Sequence, residues 1–357
     1  MGSERMKIDH EPRTPDHEPR TTDNGHLSED DVRVLIERLA ALRKEIGKVI
    51  VGQQQAVEEL LTTFVAGGHC LLEGVPGLAK TLMIRTLAAA VDLTFNRVQF
   101  TPDLMPTDII GTEVLEEDHA TGRRFFKFNR GPLFANVVLA DEINRTPPKT
   151  QAALLEAMQE FAVTYGGQTY PLERPFFVLA TQNPIEQAGT YPLPEAQLDR
   201  FLLYITVSYP SEAEELAVLS KTTGHDAPTV EAVITAQEVL RVQALARAVT
   251  ISEVLLVYVN RLIRATRPSD QAPAVVRDWV RWGAGPRAGQ ALILTAKARA
   301  LLQGRFAVTL GDIQAMAYPA LRHRVLVNFK AEAEGITADD VTRTLMRDVP
   351  EPTSPLA

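Results

Sequence analysis

The chain has 357 residues, 23% of them charged and 45% hydrophobic, and carries a formal net charge of -8 at pH 7. This composition is typical of a globular protein with about two domains, and the acidic balance argues against a surface adapted throughout to nucleic acid. The single cysteine, Cys70, excludes an intrachain disulfide. With no apolar run long enough for a membrane span and no signal peptide, the sequence predicts a cytoplasmic protein.

The N-terminal 30 residues form a polar segment with almost no apolar side chains, which predicts a disordered tail. Apolar residues then recur at helical spacing after Ser28, which offers an N-cap, and predict a helix that ends near Gly47. A short apolar turn, 49–53, leads into a second predicted helix over 54–65. In a nucleotide-binding fold, a segment just before the first strand often packs on the adenine, and we assign this turn to that role if the next segment binds a phosphate.

The next segment is a glycine-rich turn between an apolar strand and a helix predicted for 82–91. Its residues are Gly74, Val75, Pro76, Gly77, Leu78, Ala79, Lys80 and Thr81. Backbone N–H groups in such a turn and at the helix N-terminus converge on a phosphate. We expect Lys80 to reach the β- and γ-phosphates of ATP, and Thr81 to ligate Mg²⁺. Ala79 replaces the usual glycine and is expected to lose access to positive φ. An ordinary strand-to-helix turn is the alternative for this octamer alone.

A second signal follows downstream, where four consecutive apolar residues precede Asp141 and Glu142. The apolar run predicts a parallel strand buried on both faces, and ligands bind at the carboxyl ends of such strands. We expect Asp141 to hold the Mg²⁺ shell and Glu142 to orient and deprotonate the attacking water. Together with the glycine-rich turn, the acidic pair predicts a nucleotide hydrolase.

Two β-hairpins are predicted beside these motifs. Residues Gly111–Arg130 alternate apolar and polar side chains around a turn, which indicates an inserted hairpin. Residues Ala162–Arg174 indicate a second hairpin with Gly166 and Gly167 at its tip.

Two further polar residues end predicted elements. Asn183 ends a buried strand, where its amide can position a water or form an Asn-Pro turn, and the two roles are compatible. Arg200 ends a short helix. On local grounds alone it reads as a surface arginine paired with Asp199 or Glu195.

After residue 209 the pattern becomes helical, which predicts a second domain over 210–347 after a core over 31–209. Helices are predicted over 212–222, 236–249, 252–267, 289–303, 309–316 and 339–346. We expect Trp279 and Trp282 in the core of this domain and the basic run 321–324 on its surface. A proline-containing tail, 348–357, follows.

Five stretches of the chain, 74–81, 97–108, 139–145, 180–183 and 195–201, resemble the MoxR family of AAA+ ATPases. MoxR proteins usually carry alanine before the P-loop lysine, as here. The resemblance implies an α/β fold: an αβα P-loop core with a five-stranded parallel sheet and an insertion in its second helix, then an all-α lid. It matches Asn183 to the sensor 1 asparagine and Arg200 to an arginine finger that acts on ATP of a neighbouring subunit. It also matches Arg287 to the sensor 2 arginine, which acts in cis or in trans.

The resemblance implies an ATP-hydrolysing chaperone that remodels or activates client proteins, metal or cofactor insertion included. It further implies a homo-oligomeric ring, usually a hexamer, and a partner with a von Willebrand factor A domain. The alternatives are a nucleic-acid motor, a metal-chelatase-type ATPase subunit and a scaffold without turnover. The hairpin tip 165–168 has no Lys or Arg, which weakens the DNA reading. Glu142 and Arg200 together argue against the scaffold.

Overall fold

The computed structural model describes residues 28–118, 122–185, 189–222 and 228–352. Residues 1–27 of the predicted N-terminal tail and residues 353–357 of the predicted C-terminal tail therefore lie outside the described residues. None of the helices in the described ranges is long and apolar enough to cross a bilayer.

The chain alternates strands and helices first and is then mainly helical. The strands are β1 (Cys70–Glu73), β2 (Phe95–Gln99), β3 (Gly111–Glu117), β4 (Arg124–Arg130), β5 (Val137–Asp141), β6 (Ala162–Tyr165), β7 (Gln168–Pro171), β8 (Phe177–Gln182), β9 (Leu203–Thr206), β10 (Val280–Trp282) and β11 (Leu326–Val327). The helices are α1 (Glu29–Val49), α2 (Gln54–Ala66), α3 (Lys80–Ala90), α4 (Pro106–Ile110), α5 (Pro148–Glu160), α6 (Glu195–Leu198), α7 (Glu212–Thr222), α8 (Ala236–Ala248), α9 (Glu253–Ala265), α10 (Ala274–Trp279), α11 (Pro286–Leu302), α12 (Leu310–Leu321), α13 (Phe329–Glu334) and α14 (Ala338–Asp348).

Five strands form the central parallel sheet, in the order β2-β5-β8-β1-β9. The middle strands β5 and β8 are buried on both faces, which explains their continuous apolar runs. Successive side chains alternate between two cores: Leu72 packs with α1, α2 and α3 on one face, and Leu71 packs with α4 and α5 on the other. The predicted αβα core is confirmed.

Both predicted hairpins are present, as the antiparallel pairs β3–β4 and β6–β7. Gly111 closes the base of the first hairpin with φ +111°, and a Cβ there would lie 2.2 Å from the carbonyl oxygen of Asn129. Only glycine fits that position. The two hairpins touch through the rings of Phe128 and Tyr170, which stack with centroids 4.1 Å apart.

The second part of the chain is helical, as predicted, but its details differ from the sequence-based expectations. Helix α11 begins at Pro286 instead of 289, and α12 continues to Leu321 instead of 316. The sequence did not predict α10, α13 or the short β10–β11 ladder. Each of these elements has six residues or fewer, too short for a hydrophobic period to be visible.

Two predictions about side chains in this part were wrong. Trp279 is half-buried as expected, but Trp282 on β10 is 69% exposed. The basic run 321–324 is not on the surface, because His323 and Arg324 are buried and Arg322 pairs with Asp339 at 2.8 Å. These buried polar groups find partners on distant parts of the chain, which local sequence does not reveal.

Candidate active site

The glycine-rich turn joins the carboxyl end of β1 to the N-terminus of α3. This helix begins at Lys80, two residues before the predicted start at 82. Gly77 has φ +88° with open space around it, and a Cβ on Gly74 would lie 3.1 Å from Val207. Ala79 has φ +57° and ψ +19°, which corrects the expectation that alanine loses access to positive φ. The chain accepts a conformation that costs a residue with a Cβ about 1–2 kcal/mol.

The N-terminus of α3 is prepared for an anion. It has no side-chain cap and no acidic residue in its first turn, so its N–H groups remain available to a phosphate. Lys80 donates from Nζ to the carbonyl oxygen of Gly74 at 2.6 Å. Burial lowers the pKa of Lys80 below its ordinary value, although the negative charges of Asp141 and Glu142 act in the opposite direction.

Asp141 ends β5 and is held from two sides. Thr181 donates to its Oδ1 at 2.6 Å, and Arg97 on the adjacent strand β2 donates to its Oδ2 at 2.7 Å. Thr181 Oγ also accepts the backbone N–H of Glu142 at 2.9 Å, which joins the two acids to β8. Arg97 and Thr181 were both missed by sequence reasoning.

Glu142 follows with φ +58°, a left-handed backbone conformation that ends the extended strand. Its Oε2 accepts hydrogen bonds from Gln99 at 2.8 Å and Arg145 at 2.9 Å. Gln99 is the last residue of β2 and pairs in register with Asp141, so the two polar strand ends meet at one edge of the sheet. Sequence reasoning missed Gln99, because its role depends on β2 lying beside β5, and the sequence does not show which strands are neighbours.

Asn183 lies directly after β8, between the acidic pair on β5 and the glycine-rich turn after β1. It is 5% exposed, and its Oδ1 accepts the N–H of Ile185 at 3.2 Å, an Asx turn of the predicted kind. The carboxyl ends of three neighbouring strands therefore carry the turn, the acidic pair and the amide together, as ligand binding at such an edge requires.

The residues at this edge fit a magnesium nucleotide. A hydroxyl in the first turn of α3, Thr81, and a carboxylate, Asp141, are oxygen ligands of the kind that Mg²⁺ prefers. The uncapped helix N-terminus and Lys80 supply the positive potential that a triphosphate needs.

Arg200 and Arg287 lie elsewhere. Arg200 precedes β9, which runs parallel to β1, so it lies at the amino edge of the sheet and the turn lies at the carboxyl edge. The four-residue strand between them is about 13 Å long. Arg287 Nη1 lies 3.7 Å from Asp199 Oδ2, and Arg200 and Arg287 line one shared cavity.

The surface-pair reading of Arg200 does not hold. Asp199 pairs with Arg324 at 2.6 Å and Glu195 pairs with Arg281 at 3.2 Å, so both suggested partners are engaged elsewhere. Within the described ranges, no ion pair involves Arg200.

Comparisons with known proteins agree with this architecture. The family model described as "ATPase family associated with various cellular activities (AAA)" matches residues 69–203, and the model described as "AAA lid domain" matches 273–345. The chain is 45% identical over 309 residues to Chaperone MoxR1 of Mycobacterium tuberculosis, covering 86% of this chain and 81% of the relative. It belongs to the MoxR family of AAA+ ATPases.

Other members of the family match over similar lengths. Protein MoxR of Methylorubrum extorquens is 30% identical over 331 residues, covering 88% of this chain and 95% of the relative. A solved structure from Cytophaga hutchinsonii, described as a candidate ATPase, superposes with a TM-score of 0.83 at 44% identity, covering 90% of this chain and 97% of that one. As a MoxR-family AAA+ protein, the chain has an ATP-binding core followed by a helical lid.

The MoxR assignment leaves the individual roles of the site residues as predictions. The structure brings the P-loop, Asp141, Glu142 and Asn183 to one edge of the sheet and does not bring Arg200 or Arg287 there. The chain therefore presents two separate sets of groups, one at the carboxyl edge of the sheet and one at its amino edge.

Proposed function

We propose that this MoxR protein is a Mg²⁺-dependent ATPase of the chaperone type that hydrolyses ATP between adjacent subunits of a homo-oligomeric ring. The proposal rests on the distance between Arg200 and the P-loop of the same chain. The two lie at opposite ends of β9, about 13 Å apart along the strand, and an arginine side chain is much shorter than that. Arg200 can complete only a site that belongs to another subunit.

The proposed reaction uses the groups at the carboxyl edge. The P-loop N–H groups and Lys80 bind the phosphates, with Lys80 leaving the carbonyl of Gly74. Glu142 takes a proton from water as the water oxygen bonds to the γ-phosphorus, while the bond to the β,γ-bridging oxygen breaks and ADP leaves. Asn183 orients that water. Thr81 and Asp141 would hold Mg²⁺, which would supply positive charge to balance that of the phosphates.

The base is tested by Glu142→Gln, which keeps the shape and the hydrogen-bonding oxygen but accepts no proton. We expect nucleotide binding to persist and steady-state turnover to fall by about 10²–10⁴. Glu156→Gln on the exposed side of α5 is the matched control and should retain full turnover. Preserved turnover in Glu142→Gln removes Glu142 as the base.

The trans arrangement is tested by mixing variants. Arg200→Ala keeps its own P-loop, and Lys80→Ala keeps its own arginine, so each lacks what the other supplies. Each variant alone should be inactive. A random equal mixture should recover activity, because about a quarter of its interfaces then carry both groups. Intact mixed rings without recovery contradict a trans-acting arginine.

We assign Arg287 to the same interface. It is joined to Asp199, next to Arg200, and shares a cavity with Arg200 that no P-loop residue lines. This favours action across the interface over action in cis. Arg287→Ala should therefore complement with Lys80→Ala in the same way as Arg200→Ala.

The chaperone role rests on the family and on the name of the Mycobacterium tuberculosis relative, "Chaperone MoxR1". A client protein and a partner with a von Willebrand factor A domain are part of the proposal. Glu142→Gln, expressed in the source cell and purified with ATP, should retain that partner or a client whose activity depends on the ATPase. Nuclease-sensitive nucleic acid without a protein partner would overturn the chaperone role in favour of a nucleic-acid motor.

A further inference from the structure

Arg324, which follows α12 in the lid, is a buried charge with unusually complete hydrogen bonding. Its side chain is 4% exposed. Nε donates to Asp199 Oδ1 at 2.6 Å, Nη2 donates to the carbonyl of Phe201 at 2.7 Å, and Nη1 donates to the carbonyls of Leu202 at 3.1 Å and Ala320 at 2.6 Å. The guanidinium thereby joins the end of α12 to a segment 125 positions earlier in the chain.

The acceptors on the core side share one property: they flank Arg200. Asp199 precedes it, and Phe201 and Leu202 follow it, so the backbone on both sides of Arg200 is fixed to a lid residue. Arg200 itself has no ion pair within the described ranges. Its orientation therefore depends on its neighbours in the chain and not on a partner for its own side chain.

Stability alone is a poor explanation for this cluster. Burying a guanidinium is costly, and a well-packed apolar side chain of the same volume often serves a core equally well. What the fork of an arginine supplies is direction, since its donors bind several acceptors in one fixed geometry. Asp199 uses its second oxygen toward Arg287, at 3.7 Å, so one carboxylate lies between both arginines at the amino edge.

We propose that Arg324 and Asp199 are positioning residues for Arg200, which hold the finger and the lid as one unit that acts on the ATP of the neighbouring subunit. This inference rests on the proposed function, because it requires Arg200 to act in trans. It adds to the interface two residues to which the sequence assigned no role in the site.

The proposal makes a prediction that a purely structural role does not make. A variant with a misplaced finger still has an intact P-loop, so it should fall into the same complementation class as Arg200→Ala. Asp199→Asn removes the charge and retains the shape. We expect its ATPase activity to fall at least tenfold, while its affinity for a fluorescent ATP analogue changes less than twofold.

Mixing distinguishes the possible causes of that loss. Asp199→Asn mixed with Lys80→Ala should recover activity to the level of the Arg200→Ala and Lys80→Ala mixture. Asp199→Asn mixed with Arg200→Ala should recover none, because both lack a working finger. Arg324→Lys, which retains the charge and loses the fork, should behave in the same way and serves if Asp199→Asn fails to fold.

A matched control lies in the same basic run. Arg322 pairs with Asp339 at 2.8 Å and donates to the carbonyl of Tyr204 in β9, but within the described ranges it makes no hydrogen bond or ion pair to residues 199–202. Asp339→Asn breaks a comparable arginine–aspartate pair between lid residues. It should leave turnover within twofold of the wild type.

The outcomes separate this inference from the proposed function. If Arg200→Ala complements Lys80→Ala but Asp199→Asn does not, or if Asp199→Asn keeps full activity, the positioning role is overturned and the trans finger stands. If Arg200→Ala itself fails to complement in intact rings, the trans finger is overturned and this inference falls with it. Equal losses in Asp199→Asn and Asp339→Asn also overturn the positioning role, since a general weakening of the lid then suffices.

Discussion

Asp312 at the start of α12 is expected to be a major stabilising residue of the lid. Its side chain is fully buried, and it accepts hydrogen bonds from Arg299, Arg305 and Thr309. Burial alone would raise the pKa of Asp312, but the bonds from Arg305 and Thr309 outweigh burial and lower the pKa to about 2. Against an ordinary value of 3.8, this shift corresponds to about 2 kcal/mol of stabilisation of the folded state.

We therefore expect Asp312→Asn to lower the free energy of unfolding by about 2 kcal/mol or more, since it also takes the anion from Arg305 and leaves Arg299 with Glu58 alone. Asp312 is the third residue of α12 and accepts from the N-cap, Thr309; asparagine retains the shape and one acceptor oxygen, so the change mainly removes the charge. Because the folded pKa lies below the unfolded pKa, the stabilisation is complete above about pH 4 and is lost as the pH falls toward 2. The difference between variant and wild type should be equal at pH 5 and pH 8.

The lid contains a matched control with the same Thr-x-x-Asp cap. Asp340 caps α14 through Thr337 and pairs with Arg343, but this pair is exposed. Asp340→Asn should cost about 1 kcal/mol or less. Urea unfolding gives the total change, and hydrogen exchange of the amides in 310–321 and 338–348 assigns it to each helix. A loss below about 0.5 kcal/mol for Asp312→Asn, or equal losses in the two variants, would refute the reasoning.

Three further changes test the nucleotide edge. Gln99→Ala removes one of the two hydrogen-bond donors to Glu142 and should free its carboxylate to act on water. The basal ATPase rate should then rise about fivefold, since a hydrogen bond is worth roughly 1 kcal/mol. An unchanged rate would show that the bond from Gln99 does not restrain Glu142. Arg97→Met leaves the charge of Asp141 unbalanced, so the Mg²⁺ concentration for half-maximal turnover should fall up to about fivefold; a rise would show that Arg97 instead orients the carboxylate. Ala79→Gly should keep ATP affinity with stability within about 1 kcal/mol of the wild type, whereas Ala79→Val should lose more than that, and equal melting temperatures for the two would argue against strain.

The parts of the fold that sequence predicted well are those encoded by neighbouring residues. The P-loop, the buried strand before Asp141 and both hairpins each carry their signal within about 20 residues, as apolar runs, alternation or turn glycines. The resemblance to MoxR proteins then supplied the five-stranded αβα core and the all-α lid. Helix starts were wrong where the N-cap has no polar side chain, as at Ala79 before α3 and Gly285 before α11. Helix α12 was predicted too short, since it continues through Pro319 to Leu321.

The parts that sequence missed depend on partners far away in the chain. Nothing around Arg324 indicates that its acceptor is Asp199, because the two residues are 125 positions apart and meet only through the tertiary fold. Gln99 and Arg97 reach the acidic pair only through the pairing of β2 with β5. The basic run 321–324 was therefore predicted to lie on the surface, although two of its residues are buried against the start of β9. Trp282 was predicted to lie in the core and is exposed.

The contact between the two hairpins has a mechanical consequence. Helix α5 begins close after Glu142, where Gln151 donates to the carbonyl of Ile143, and it ends at the start of β6. The helix is thus about 20 Å long, and a rotation of the helix by about 5° about its N-terminal end would move its C-terminal end by about 2 Å. Because Phe128 stacks on Tyr170, the shift would be passed on to the β3–β4 hairpin, whose Phe126 is 70% exposed. A small movement beside the acidic pair would therefore become a larger movement at the tips of the two hairpins.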